Sequence, residues 1–348
     1  MALLKIDCRK ITENFLKLRA MCKTRDIDLV PVTKICLSHP DIVGPLLANG
    51  ASIIADSRLY NLNRLPESTK KMLLKLRYSD VEKLNGNCDI IYTSDYSILE
   101  KLNREKPDNS VQVILAIELG DLREGILVDQ LEDFIKKVER LTKINIVGIG
   151  GNLGCLSGKL PDNLVMEKIH ASITAVKHIT GLPVPTVSLG GTAVQRALIN
   201  DQIIPEVNQI RMGEAIFFGY NLTLHERIES LHHDAFVVSG EVLEVQEKTV
   251  EDLGSYAYNA FGKAANMGMR GRRKRAVLDF GELGAPAAGL IAFDNGIGIV
   301  GSTHDYCIVD LTESPNRYTT GDTLDFHCNY NTAAVSFISP YMEKEILR

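Results

Sequence analysis

From residue 10 to about residue 220, short apolar runs alternate with segments of helical spacing, the rhythm of repeated strand–helix units around a parallel sheet. The runs fall at 29–33, 52–55, 72–76, 90–92, 111–117, 144–149, 184–188 and 209–211. Between them the helical faces are readable: Ile11, Phe15, Leu18 and Cys22 share one side of a helix, and Pro40 precedes Ile42, Val43, Leu46 and Leu47, with Gly50 as a stop. Eight such units predict a closed (β/α)8 barrel of the TIM type, although an open doubly wound sheet produces the same alternation. After about residue 231 the rhythm changes to β-type runs at 235–245, 274–281, 289–293, 297–311 and 323–330, without clear helices between them. The pattern therefore predicts an α/β barrel over 1–228 and a C-terminal, mostly antiparallel β domain over 229–348.

A chain of 348 residues, 45% hydrophobic and 24% charged, has apolar matter enough for these two domains. No run approaches the length of a membrane span, and the first ten residues carry Lys5, Asp7, Arg9 and Lys10 in place of a secretory apolar core. A soluble, cytoplasmic protein without a membrane partner is expected. Seven cysteines without CxxC spacing suit reduced thiols better than disulfides or a zinc ribbon. The net charge of −5 gives no reason to expect nucleic acid as a partner. The one basic run, Arg270, Arg272, Arg273, Lys274 and Arg275, reads as a solvated loop leading into a strand at 276–280.

In a parallel barrel the chemistry sits on the loops that follow the strands. Here the first strand ends in Lys34, the fifth leads into Arg123, the sixth into Gly150-Gly-Asn152, the seventh into Ser188-Leu-Gly-Gly191-Thr192, and the eighth into Arg211-Met-Gly213-Glu214. A lysine, two arginines and two glycine-containing loops at one mouth suit an anionic ligand. The glycines alone are equally consistent with tight turns. Lys34 is either a charge partner for a substrate or an amine nucleophile that forms a Schiff base.

Val32-Thr-Lys34, Gly120-Asp-Leu-Arg123-Glu-Gly125, the loop from Ser188 to Thr192, and Arg211-Met-Gly-Glu-Ala215 with Phe218-Gly219 resemble, in order and spacing, the alanine-racemase family of fold-type III pyridoxal-phosphate enzymes. Ser302-Thr-His304-Asp305-Tyr-Cys-Ile-Val-Asp310 resembles that family's substrate loop, so the likeness spans nearly the whole chain. Ala55-Asp-Ser-Arg58 and Lys70-Lys-Met-Leu-Leu74 bring it nearest the ornithine-racemase branch. The resemblance implies pyridoxal 5'-phosphate carried as a Schiff base on Lys34, and an isomerase that removes a proton at Cα of an external aldimine to interconvert L and D amino acids. It further implies Arg211 against the pyridine nitrogen, Ser188, Thr192 and the backbone of Gly191, Gly213 and Glu214 around the phosphate, and Arg123, His304 and Asp305 near the substrate. Asn152 stands where classical alanine racemases carry a histidine beside the ring, and Ser38 or His39 where they carry a phosphate-binding tyrosine; both are departures.

The family's second acid is a tyrosine from the β domain of the partner in a head-to-tail homodimer. Strict spacing lands on Asn259, which cannot carry a proton, so Tyr258 is the choice, with a purely structural tyrosine as the alternative. The ornithine likeness implies a small-molecule substrate with a basic side chain, whose ammonium would need a partner such as Asp279, Glu282 or Asp305. Other readings are an alanine racemase, a decarboxylase of the same fold type, disfavoured by Arg211, and a non-catalytic cofactor-homeostasis protein, disfavoured by the β domain. His327 and Cys328 are adjacent on one strand and face opposite ways, so no metal is assigned.

Overall fold

Strand β1 (Leu3–Asp7) runs directly into α1 (Cys8–Lys23), whose buried Ile11, Phe15, Leu18 and Cys22 form the stripe expected from their spacing. The computed structural model describes every residue apart from 85, 106–111, 252–256, 260, 263 and 265–268. Eight strands follow, alternating with helices: β2 (Asp28–Pro31), α2 (Pro40–Ala48), β3 (Ile54–Asp56), α3 (Leu59–Leu62), β4 (Lys71–Leu73), β5 (Ile90–Thr93), α4 (Tyr96–Glu105), β6 (Gln112–Ala116) and α5 (Leu131–Val138). The series continues with β7 (Asn145–Asn152), α6 (Asn163–Thr180), β8 (Thr186–Gly190), α7 (Val194–Ile199), β9 (Gln209–Met212) and α8 (Glu214–Phe218). A short hairpin, β10 (Tyr220–Asn221) and β11 (Glu226–Arg227), ends this part.

Strands β2 to β9 pair in parallel in the order β2-β9-β8-β7-β6-β5-β4-β3. The ring closes where Val32 bridges Ala55 and the Thr33 N–H donates to the Ala55 carbonyl at 2.9 Å. Inside it Val30, Ala55, Met72, Ile90, Tyr92, Ile114 and Ala116 pack as one apolar cluster, so the barrel is filled rather than hollow. Each of the eight apolar runs thus becomes a barrel strand.

The second unit is β-rich. Strand β12 (Phe236–Val250) pairs antiparallel with β13 (Gly271–Leu278) and with β17 (Thr323–Cys328); β14 (Leu290–Ala292), β15 (Gly298–Ser302) and β16 (Cys307–Asp310) complete the path β14-β17-β12-β13-β16-β15. Helix α9 (Tyr330–Ile338), capped by the Asn329 side chain on the Thr332 N–H, leads to β18 (Glu343–Leu347). The chain divides into Ile11–His232 and a unit made of Met1–Lys10 with His233–Arg348. That division differs from the one expected at 228/229 chiefly at the other end, because β1 lies between β12 and β18 and belongs to the β unit. The run at 297–311 is two strands joined by a turn, and the segment after 329 contains a helix that the pattern did not predict.

The basic run is also not a loop. Arg272 to Arg275 lie within β13, where Arg273 is buried and grips Asp310 with two nitrogens at 2.8 and 3.2 Å. A buried guanidinium needs such a bidentate partner, and Asp310 on the neighbouring strand supplies it. His327 stacks on Phe293 with ring centroids 4.1 Å apart, while Cys328 is buried and its thiol is pushed up to about 12 by burial. Among the described residues no helix is long and apolar enough to cross a membrane.

Candidate active site

The ends of β7, β8 and β9 bring three of the expected residues together. Arg211 on β9 is fully buried; its Nη1 donates to the Ser188 hydroxyl and its Nη2 to the Gly151 carbonyl at 3.0 Å. The guanidinium lies 4.6 Å from the centre of the Tyr92 ring on β5. Burial pulls Arg211 below the ordinary arginine range while Tyr92 acts the other way, and burial pushes the Tyr92 phenol up to about 12. The Ser188 hydroxyl in turn donates to Gln209 Oε1 at 2.7 Å. Ser188 is therefore committed to holding Arg211, which differs from the phosphate role the family likeness implies for it. Tyr92 and Gln209 were not singled out from the sequence, since each looks like an ordinary core residue of its strand.

Gly190 and Gly191 shape the space beside this arginine. A Cβ on Gly190 would stand 2.6 Å from both Arg211 Nη2 and Asn152 Oδ1, so only a glycine lets these planar groups converge. Gly191 has φ +114, and a Cβ there would meet the Leu153 carbonyl at 2.2 Å. The Gly191 N–H donates to the Arg211 carbonyl at 3.1 Å, so this amide is occupied within the barrel. The Thr192 hydroxyl accepts from the Ala215 N–H at 3.2 Å, tying the loop after β8 to the start of α8.

Lys34 opens a single tight turn (Lys34–Cys36) directly after β2 and is exposed. The turn ends with Leu37 and Ser38 both in the left-handed region, at φ 50 and 49. Two neighbours hold that strained pair: Arg64 Nη1 donates to the Leu37 carbonyl at 3.1 Å, and the Ser38 hydroxyl donates to Asp56 Oδ2 at 2.8 Å. Thr33 Oγ1 stands 2.8 Å from the same hydroxyl, and Asp56 also accepts from the Arg58 N–H and from Asn61. Burial raises the Asp56 carboxyl. Ser38 thus serves the lysine turn from inside, and His39 caps α2 through the Asp41 N–H at 3.3 Å, with burial lowering its imidazole.

Across the strand pair, Val30 lies opposite Arg211, and the Val32 N–H donates to the Met212 carbonyl at 2.8 Å. This register sets Gly213 and Glu214 beside the lysine turn. Glu214 is half-buried, and its Oε2 accepts from the Leu222 N–H at 3.1 Å. Burial raises this carboxyl, and the charge of Lys34 acts to lower it.

The loop after β6 meets the loop after β7. Asn152 Nδ2 donates to Asp121 Oδ2 at 3.3 Å, while Asp121 Oδ1 gathers the N–H groups of Cys155 and Leu156, both at 2.9 Å. Arg123 pairs with both carboxylate oxygens of Glu124, which holds its guanidinium above the usual range, and lies 3.8 Å from Asp121. Asp121 is the organising residue here. Its position inside Gly120-Asp-Leu-Arg123 was the signal that could have found it.

The remaining expected residues lie in the β unit. Tyr258 is 76% exposed and forms an isolated antiparallel bridge with Ala264. Asn259 caps the intervening turn, accepting from the Phe261 N–H at 3.0 Å. Phe261 packs on His304 with ring centroids 4.7 Å apart. Both His304 and Asp305 are exposed.

A (β/α)8 barrel with a lysine turn, a buried arginine and a glycine cradle at its strand ends, followed by a β-rich unit, defines a class of two-part barrel proteins. Residues 6–221 match the alanine racemase, N-terminal domain, family. The chain belongs to the alanine racemase family. A lysine racemase of Thermotoga maritima is 32% identical over 98% of this chain and 97% of its own length, and an ornithine racemase of Acetoanaerobium sticklandii is 32% identical over 98% of each. Among solved structures, an alanine racemase from Bartonella henselae with covalently bound pyridoxal phosphate superposes with a TM-score of 0.75 at 18% identity, covering 99% of both chains. That of Corynebacterium glutamicum gives 0.73 at 17%, again over 99% of both. At such identities the superpositions speak for the fold.

Proposed function

We propose that this protein is a pyridoxal-phosphate-dependent racemase of basic amino acids, with Lys34 as the residue that carries the cofactor. The observation that carries the reading is the pairing of β2, which leads into the lysine turn, with β9, which carries the buried, doubly anchored Arg211, beside a glycine cradle that any side chain would fill. These residues fit the cofactor: a primary amine for its aldehyde, a fixed guanidinium for its ring nitrogen, and the Thr192 hydroxyl with the Gly213 and Glu214 backbone for its phosphate. When bound, the cofactor supplies an electron sink for the substrate amine.

The chain's own groups divide the remaining work. Lys34 Nζ takes the Cα proton on one face. Arg211 keeps its proton, so the sink it faces stays weak and fewer side reactions compete. Tyr258 of a second copy returns a proton on the other face, a role that its exposed hydroxyl suits and the turn-capping Asn259 does not. Asn152 would stand beside the ring, and Arg123, His304 and Asp305 would orient the substrate. The basic-substrate choice follows the lysine and ornithine racemases among the relatives. Cytoplasmic location is part of the same reading.

Incubating purified protein with single enantiomers and following the mirror image by chiral chromatography tests the proposal. Ornithine or lysine should be racemised with kcat/KM at least ~100-fold above alanine, equivalent to about 2.7 kcal/mol in transition-state binding. Borohydride should trap the cofactor on Lys34, read by peptide mass spectrometry. An adduct on a different lysine would overturn the assignment.

A further inference from the structure

Thr33, Ser38 and Asp56 are completely buried at the lysine turn, and no step of the proposed reaction uses them. Asp56 ends β3, and the bridge from Val32 to Ala55 that closes the barrel sets it under the residues that follow β2. Its two oxygens serve different segments. Oδ1 accepts from the Arg58 N–H at 3.0 Å and from Asn61 Nδ2 at 2.9 Å, both groups of its own strand-to-helix connection, whereas Oδ2 accepts from the Ser38 hydroxyl at 2.8 Å. Thr33 Oγ1 lies 2.8 Å from that hydroxyl. Because Ser38 gives its single proton to Asp56, Thr33 is the donor to Ser38, and a directed chain runs from the residue before Lys34 to the carboxylate.

The backbone of the turn holds itself weakly. The Cys36 and Ser38 N–H groups share the Thr33 carbonyl, at 3.1 and 3.2 Å, and the Leu37 N–H reaches the Lys34 carbonyl at a long 3.4 Å. Leu37 and Ser38 then pass in succession through the left-handed region, at φ 50 and 49, which L side chains rarely adopt. Such a pair persists only where its surroundings fix it. Arg64 Nη1 fixes the Leu37 carbonyl at 3.1 Å, and Asp56 fixes the Ser38 side chain from inside the barrel. A hydrogen bond to a carboxylate shielded from water is stronger than one at the surface, so the inner link is the firmer of the two.

We infer that Asp56 is a positioning residue for Lys34: acting through the Ser38 hydroxyl, it holds the turn after β2 in the conformation that presents the lysine amine for reaction. This rests on the reading of Lys34 as the residue that carries the cofactor, and it names the device that fixes that lysine in place. Without the bond to Asp56, Leu37 and Ser38 are free to relax toward ordinary backbone conformations. Lys34, three residues earlier on the same turn, moves with them.

Ser38→Gly breaks the link without straining the fold, because glycine accepts a positive φ freely and Asp56 keeps its bonds to Arg58 and Asn61. Were the hydroxyl's role purely structural relief of the turn, this variant would equal wild type or exceed it. The readout is the rate at which the full chain, stripped of its cofactor, captures added pyridoxal phosphate covalently with loss of water, followed by absorbance. Borohydride trapping and peptide mass spectrometry then locate the amine. Ser38→Gly and Asp56→Ala should each slow capture by Lys34 roughly 10–100-fold, the range for a hydrogen bond to a charged group. The double variant should be no slower than Asp56→Ala alone, since both act through one bond. Asp56→Asn should recover most of the rate, because its amide can donate to Ser38 in place of accepting from it. In the loaded enzyme the slow variants should lose kcat with KM nearly unchanged. Capture by Ser38→Gly at the wild-type rate, or additive losses in the double variant, would overturn the inference; Ser38→Gly decides it even where Asp56→Ala fails to fold. A trapped peptide from wild type that carries a different lysine would bring down the Lys34 reading itself, and the inference with it.

Discussion

Gly191 shows how a single residue can hold a site open. Its φ of +114 lies where L side chains rarely go, and a methyl group there would be driven into the Leu153 carbonyl at 2.2 Å. Neither side can yield cheaply, because both partners are backbone and the Gly191 N–H is tied to Arg211. Gly191→Ala is expected to destabilise the fold by about 1–3 kcal/mol, the cost of a strained backbone position, and to loosen the cradle beside Arg211. Urea unfolding midpoints and retention of the yellow colour through gel filtration would check both effects. A variant with unchanged stability and full cofactor content would show that the loop relaxes freely. The residue scale is also where the sequence was least informative about partners: Lys34 and Arg211 stand out by type and position, whereas nothing local marks Tyr92 as the ring under the guanidinium, and Asp56, although it lies in the Ala55–Arg58 motif, is not marked as the acceptor under the lysine turn.

At the scale of elements, polar knots hold loops that the sheet ladders cannot reach. Asp294, in the turn after β14, receives the Ser314 hydroxyl at 2.6 Å, Asn316 Nδ2 at 2.9 Å, the Gly296 N–H at 2.8 Å and the Tyr318 hydroxyl at 3.0 Å. The Ser314 hydrogen bond leads the effects that hold its carboxyl down to about 2. A carboxyl depressed in the folded state adds stability that is complete above the unfolded value of about 4 and is lost as pH falls toward the folded value. The gap in urea midpoint between wild type and Asp294→Asn should therefore be constant from pH 7 to about 5 and shrink between roughly pH 4 and 2. A gap independent of pH over that interval would refute the knot's electrostatic role.

At the scale of the whole molecule, the proposed reaction draws on residues of both units. The lysine turn and Arg211 belong to the barrel, whereas Tyr258, His304 and Asp305 belong to the β unit. If the reaction uses both sets through a head-to-tail homodimer, two defective proteins should complement each other. Lys34→Ala mixed with Tyr258→Phe, after unfolding and refolding together, should regain activity, because about half of randomly assorted dimers hold one intact site. No recovery from well-folded, exchanging subunits would count against sharing between copies, or against Tyr258 as the acid.

The order of apolar runs by itself determined a covered parallel sheet of eight strands, since runs of mostly buried positions between residues 28 and 212 suit no other place as well, whereas its closure where Val32 bridges Ala55 was decided by the tertiary structure. The positions of Lys34, Asn152, Thr192, Arg211 and Glu214 at the ends of those strands followed from the same count. The tertiary structure alone decided the rest. β1 and β18 are short, and in β18 exposed and half-buried positions simply alternate; they become strands because each supplies the other's hydrogen bonds beside β12. Helix α9 was hidden because its apolar residues continue a β-type run, although Asn329 marks its start. Arg273 reads as a solvated charge until Asp310 arrives from 37 positions away. Hydrophobic periodicity is a local property and is written in the chain, whereas the partner of a buried charge is chosen by whatever distant segment the fold brings to it.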